Sequence, residues 1–156
     1  MKANVNAKNE NKKSVKNYIT LAEYNAAYEL VWGDDYTKRN WTTIKERNVR
    51  IEELRELYGR IMPEVGMGAT EILWSDRRAN TITRVITPNK IAVKQNKTRC
   101  KDYYADEYEI LDELYGEEDI YTRRRSGRWV MEGQADKYGS VILLIGQQCH
   151  SIDPSF

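Results

Sequence analysis

Little in this sequence is set aside for reactive chemistry. Its 156 residues hold one histidine, one phenylalanine, three prolines and two cysteines. Two cysteines, Cys100 and Cys149, make no disulfide framework, so the fold rests on a packed core, and free thiols in a cytoplasm are expected. His150 and the two cysteines could be drawn as a three-ligand metal site, but no CxxC or HxxxH spacing supports it. Cys149 and His150 are adjacent, and on a strand they point to opposite faces, which argues against a Cys–His nucleophile. No metal and no cofactor is expected. Long apolar runs are missing too. The longest, Val141 to Ile145, has strand length, far from the ~20 residues of a membrane span. The start, with Lys2 and Asn4, has no apolar core of a secretory signal.

What is present is a globular composition, 40% apolar and 31% charged, with an uneven distribution of charge beneath a net +1. Residues 1–17 carry five lysines against Glu10. Between Pro63 and Lys101 eight basic residues face only Glu64, Glu71 and Asp76. Asp102 to Asp119 then holds nine acids and no base, and Arg123, Arg124, Arg125 and Arg128 follow. Acids crowded in this way suit a solvated or docking surface, not the two isolated carboxylates of acid–base catalysis. The chain is therefore read as a binding protein and not an enzyme.

Residues 1–17 bury too little to fold alone and are read as a flexible basic arm. Two capping boxes, Thr20-Leu21-Ala22-Glu23 and Thr43-Ile44-Lys45-Glu46, open helices. The first carries Leu21, Tyr24, Tyr28 and Val31 on one face and stops at Gly33. The second carries Ile44, Ile51, Leu54, Tyr58 and Ile61 and ends at Gly59 and Pro63. A short linker predicts an antiparallel helical hairpin over residues 18–62, which could also mediate a homodimer.

From residue 63 to 156 the period changes to two. Strands are predicted at Glu71–Trp74, Thr81–Thr87, Ile91–Gln95, Tyr121–Arg125, Arg128–Met131 and Val141–Ile145, with turns at Pro88-Asn89 and Ser126-Gly127. Val141–Ile145, apolar on both faces, should be central. In the acidic stretch Tyr104, Tyr108, Leu111 and Tyr115 could form a helical stripe, but the favoured reading is a strand at Glu107–Leu111 followed by a loop with Gly116. The fold class is thus α+β: a helical hairpin, then a small antiparallel β-barrel or bent sheet of about six short strands, SH3-like by analogy. Gly66-Met67-Gly68 is preceded by a helix and followed by a strand, the reverse of a dinucleotide loop, so it is read as a turn.

Two surfaces are candidates for binding. Trp74, Asp76, Arg77 and Arg78 lie where a strand runs into a loop; tryptophan stacks on bases and arginine pairs with phosphates. Arg84, Lys94, Arg123, Arg125, Arg128 and Trp129 would extend that patch for nucleic acid or another ligand. The alternative is that Trp74 is core, Asp76 caps a turn and the arginines are solvated. The second surface is acidic: Tyr104, Asp106, Glu107, Tyr108 and Glu109 combine charge with rigid contact area for a protein partner.

Gly66-Met67-Gly68-Ala69-Thr70, Trp74-Ser75-Asp76-Arg77, Gly127-Arg128-Trp129 and Asp153-Pro154-Ser155-Phe156 together resemble a family of proteins encoded by bacteriophages and prophages, over Pro63 to Phe156 only. The resemblance implies a phage origin and no assigned activity, and no catalytic residue is carried over. The expectation that follows is a non-enzymatic phage accessory protein in the host cytoplasm, inhibiting a host defence machine in the manner of anti-CRISPR proteins through contact with a host protein or its nucleic acid. The alternatives are a DNA- or RNA-binding module with a basic β-barrel face, and a protein that sequesters a nucleotide.

Overall fold

The computed structural model describes residues 17–153. The basic arm expected over residues 1–17 lies almost wholly outside the described residues. Two compact units divide at Met62/Pro63.

In the first unit, helix α1 spans Leu21–Trp32 and α2 spans Ile44–Tyr58. Both capping boxes form. The Glu23 N–H donates to Thr20 Oγ1 at 3.1 Å and the Glu46 N–H to Thr43 Oγ1 at 3.2 Å. Each satisfies a backbone donor that the first helical turn leaves without a partner. Gly33 ends α1 through close approach and not a left-handed turn: a Cβ there would lie 2.5 Å from the Glu29 carbonyl oxygen. The helices run antiparallel, as predicted. Tyr24 near the start of α1 meets Tyr58 at the end of α2 edge-to-face, centroids 5.9 Å apart. At the other end, Trp41 in the linker donates its indole N–H to the Val31 carbonyl at 2.9 Å. Val31, Leu54 and Ile61 are buried, while Ile44, in the first turn of its stripe, stays exposed. No helix among the described residues is long and apolar enough to cross a membrane.

The second unit is all β. Strands β1 (Gly68–Ile72), β2 (Arg77–Thr87), β3 (Lys90–Asp102), β4 (Glu107–Arg123), β5 (Trp129–Met131) and β6 (Ile142–Ile145) follow one another in an antiparallel ring, which β6 closes by pairing with β1. β6 is flanked on both edges, as its two-sided apolar sequence predicts. The core holds Ile82, Ile91, Val93, Tyr121, Trp129, Val130, Leu143 and Ile145.

Three expectations need correction. β2 to β4 are not short, at 11, 13 and 17 residues. The acidic stretch is not a short strand and a loop but a single strand through Arg123. β3 supplies a pairing partner along its whole length, and register shifts absorb the irregular residues, among them Gly116 at φ +79°. β1 also starts earlier than predicted and leaves Trp74 in the turn after it.

The charge alternation finds its explanation here. The basic β3 lies beside the acidic β4, with Arg99 opposite Glu109. Lys97 reaches Glu113 at 2.6 Å, Arg99 reaches Glu109 at 3.5 Å, and Arg84 of β2 reaches Glu118 at 2.8 Å. Opposite charges facing across a ladder stabilise it, and like charges would oppose it. Segments that look segregated along the chain neutralise one another in space.

A candidate aromatic–cationic cleft

β2 and β3 pair from Asn80 and Gln95 toward their shared turn. Beyond Asn80, the edge of β2 away from β1 is taken by the segment that follows β6. Arg77 and Ser151 exchange backbone hydrogen bonds at 2.8 and 2.9 Å. Gln148 Nε2 donates to the Asn80 carbonyl at 2.8 Å and lies within 3.2 Å of Asn96 Oδ1. Thr70 Oγ1 donates to the Gln147 carbonyl and accepts from the Cys149 N–H. Gly68 is required beneath this strap, since a Cβ there would sit 2.6 Å from Gln148 Cγ. Asp106, at φ +54°, closes the arrangement: its carboxylate accepts from the Ser151 hydroxyl and, at 3.0 Å, from the Ile152 N–H. Those two hydrogen bonds hold the Asp106 carboxyl below its usual pKa.

Several residues expected to bind a partner therefore hold the fold. Asp76 accepts from the Asp153 N–H at 3.1 Å, and Arg77 Nη1 donates to the Leu73 and Asp76 carbonyls. Arg78 sits 3.9 Å from the buried Glu71. Arg84 and Glu109 are spent on the cross-strand pairs. Arg123 is buried, donates to the Pro88 carbonyl at 2.6 Å and lies over the fully buried Trp129 ring at 4.7 Å, so Trp129 offers no face to a base. Tyr108 packs edge-to-face on His150 at 4.9 Å. Burial and, next, the Arg78 charge lower the His150 pKa, against the opposing pull of Asp106 and Asp76, so the imidazole is neutral at pH 7. Tyr104, Glu107 and Arg125 are exposed and Lys94 is half-buried; none makes an ion pair among the described residues. No group of three or more His, Cys, Asp or Glu there could hold a metal ion.

Two predicted residues do meet at a concave site. Trp74 and Arg128 line a cleft of about 340 Å³ with Ile72, Leu73, Lys137, Tyr138, Gly139, Ser140, Val141 and Ile142. Trp74 is 77% exposed and Tyr138 89% exposed, their rings at 75° with centroids 6.4 Å apart. Asp76 and Arg77 act here at one remove. The Leu73 N–H donates to the Asp76 carbonyl at 3.0 Å, and with Arg77 on the Leu73 carbonyl the turn presents Trp74 outward. The loop carrying Tyr138 is internally bonded: the Val141 N–H donates to Gln134 Oε1 at 2.8 Å, and the Ser140 N–H to the Lys137 carbonyl at 3.2 Å. Arg128 is gripped by Asp136, whose carboxyl the Ser126 hydroxyl and Arg128 together hold below its usual pKa. Lys137 makes no ion pair among the described residues.

The sequence reading missed Lys137 and Tyr138. The available signal was an aromatic side chain in a Gly-bounded polar loop, Gly133 to Ser140, with no strand or helix to bury it. The chain matches no family model, no curated protein and no solved structure.

Proposed function

We propose that the β-unit is a non-enzymatic binding module for single-stranded nucleic acid, with the Trp74–Tyr138 cleft as its contact. The observation that carries this reading is the pair of largely exposed aromatic rings beside Arg128 and Lys137. Every base has a π-face to stack on such rings, and a cation beside them serves a phosphate. The competing surface is weaker support. Of the nine acids from Asp102 to Asp119, three are ion-paired, Asp106 holds the strap, and Asp102 accepts the N–H groups of Tyr104 and Ala105 in the β3–β4 turn. In the phage setting that the sequence resemblance implies, an accessory role against a host defence machine would be exercised through that machine's nucleic acid and not through an acidic docking face.

Titration of the full chain with a 12-nucleotide single strand and with the corresponding duplex, followed by fluorescence anisotropy, tests the proposal. The single strand is expected to bind and the duplex to bind far more weakly. With one uncompensated cation, Lys137, engaged, the slope of log K against log salt should be about −0.7. Equal affinity for both, or no binding at low salt, would overturn it.

A further inference from the structure

The cleft has the dimensions and lining for a more specific ligand. We infer that it seats one unpaired nucleotide, its base stacked in the corner formed by Trp74 and Tyr138 and its phosphate held by Lys137; this rests on the nucleic-acid reading above. A volume of about 340 Å³ lies at the lower end of small-molecule pockets, room for one nucleotide and not for a run of them. Two rings at 75° form two walls of a corner, so a planar base that stacks on one meets the other edge-on. Ile72 and Val141 supply apolar surface beneath it.

The two cations are not equivalent. Arg128 donates through both Nε and Nη2 to Asp136, so that pair carries no net charge. Lys137 has no such partner among the described residues and contributes the one uncompensated positive charge of the lining, matched to one phosphate. A paired base has both faces covered by its neighbours and could enter only after unstacking, which selects an unpaired nucleotide at a strand end, in a loop, or free.

The test is isothermal titration of the full chain with adenosine 5′-monophosphate, adenosine and inorganic phosphate, and competition of each against a bound 12-nucleotide strand. Adenosine 5′-monophosphate is expected to bind at one site and to displace the strand. Trp74→Ala should weaken it between about 5-fold and 150-fold, the range of lost base–aromatic stacking. Since Trp74 is 77% exposed, that variant should keep the wild-type melting temperature, a control for folding. Lys137→Ala should weaken the monophosphate and leave adenosine unchanged. Strand binding that Trp74→Ala weakens but the monophosphate does not displace would overturn the nucleotide seat while sparing the nucleic-acid reading. Monophosphate binding without strand binding would do the reverse. Failure of both ligands would overturn both.

Discussion

Replacing Tyr121 with phenylalanine removes a single oxygen from the centre of the β-unit. Tyr121 is fully buried and its hydroxyl donates to Glu71 Oε2 at 2.5 Å, a contact between residues fifty positions apart that joins β4 to β1. Glu71 is itself only 6% exposed, and its nearest cation, the half-exposed Arg78, stands 3.9 Å away. Without the hydroxyl, a carboxylate stays in the interior with one distant partner. A hydrogen bond to a charged group contributes about 1.5–3 kcal/mol, and the volume of the ring is unchanged, so no cavity adds to the loss. With a urea m-value of about 2 kcal/mol/M, the unfolding midpoint of Tyr121→Phe should fall by roughly 1 M. The pH dependence gives an independent reading. Burial, then the Glu71 bond, push the Tyr121 pKa far above its ordinary value. The native state therefore keeps a proton that the unfolded chain releases. This contribution is intact below pH ~10 and declines above it, at about 1.4 kcal/mol per pH unit. Every other group is common to the two proteins, so the wild-type stability should fall more steeply than that of Tyr121→Phe in this range. A midpoint shift under about 0.2 M, or parallel alkaline profiles, would refute the role assigned to this bond.

Lys97 and Glu113, 2.6 Å apart and well exposed, test whether charge holds the β3–β4 register. Lys97→Glu should cost about 0.5–1 kcal/mol, and the exchange Lys97→Glu with Glu113→Lys should recover most of it in thermal melts; an exchange as unstable as the single change would refute the pairing. Asp106→Ala should release the strap without unfolding the ring, seen as faster hydrogen exchange at the Ser151 and Ile152 amides. Because the folded carboxyl is held below its usual pKa, acid should reproduce the effect as pH falls through that lowered value; protection unchanged by either perturbation would show that the strap is held elsewhere.

Local patterns made much of this architecture legible in the sequence. The capping boxes at Thr20 and Thr43 marked both helix starts, because each is a contact over three residues. Period-two alternation located the β-unit, and the apolar run at Val141–Ile145 identified a strand flanked on both edges. Long-range contacts were not legible. Gly116 looked like a loop residue, since nothing local shows that β3 is long enough to carry β4 past it. The turn at Asp76 and Arg77 looked like a ligand site because the backbone groups that engage those side chains belong partly to residues 151–153, more than seventy positions away. The quoted Gly68, Thr70, Asp76, Arg77 and Asp153 gather around that one strap, so their spacing records a packing requirement. Trp74 and Arg128 alone of the predicted ligand residues reached the cleft, and their partners Lys137 and Tyr138 lay in a loop without periodicity.

Segregated charge along a chain has two physical uses, and β4 favours the internal one. Half of the strand's work is done on its β3 side, where Glu109, Glu113 and Glu118 meet cations. On its other side, β5 pairs only with Tyr121, Thr122 and Arg123, so among the described residues of the β-unit Glu107 to Asp119 take no strand partner on that edge. An open edge of that length invites pairing with another chain, and charged side chains and bulges are the usual deterrents. β4 has both: Glu107, Asp112, Glu117 and Asp119 without ion pairs among the described residues, and register shifts that interrupt the ladder. The acids are thus accounted for by pairing on one side and protection on the other. Trp74 and Tyr138 are employed differently: their rings meet edge-to-face, yet each leaves most of its surface in water at the mouth of the cleft. Exposed aromatic surface of this kind is what the proposed ligand would cover.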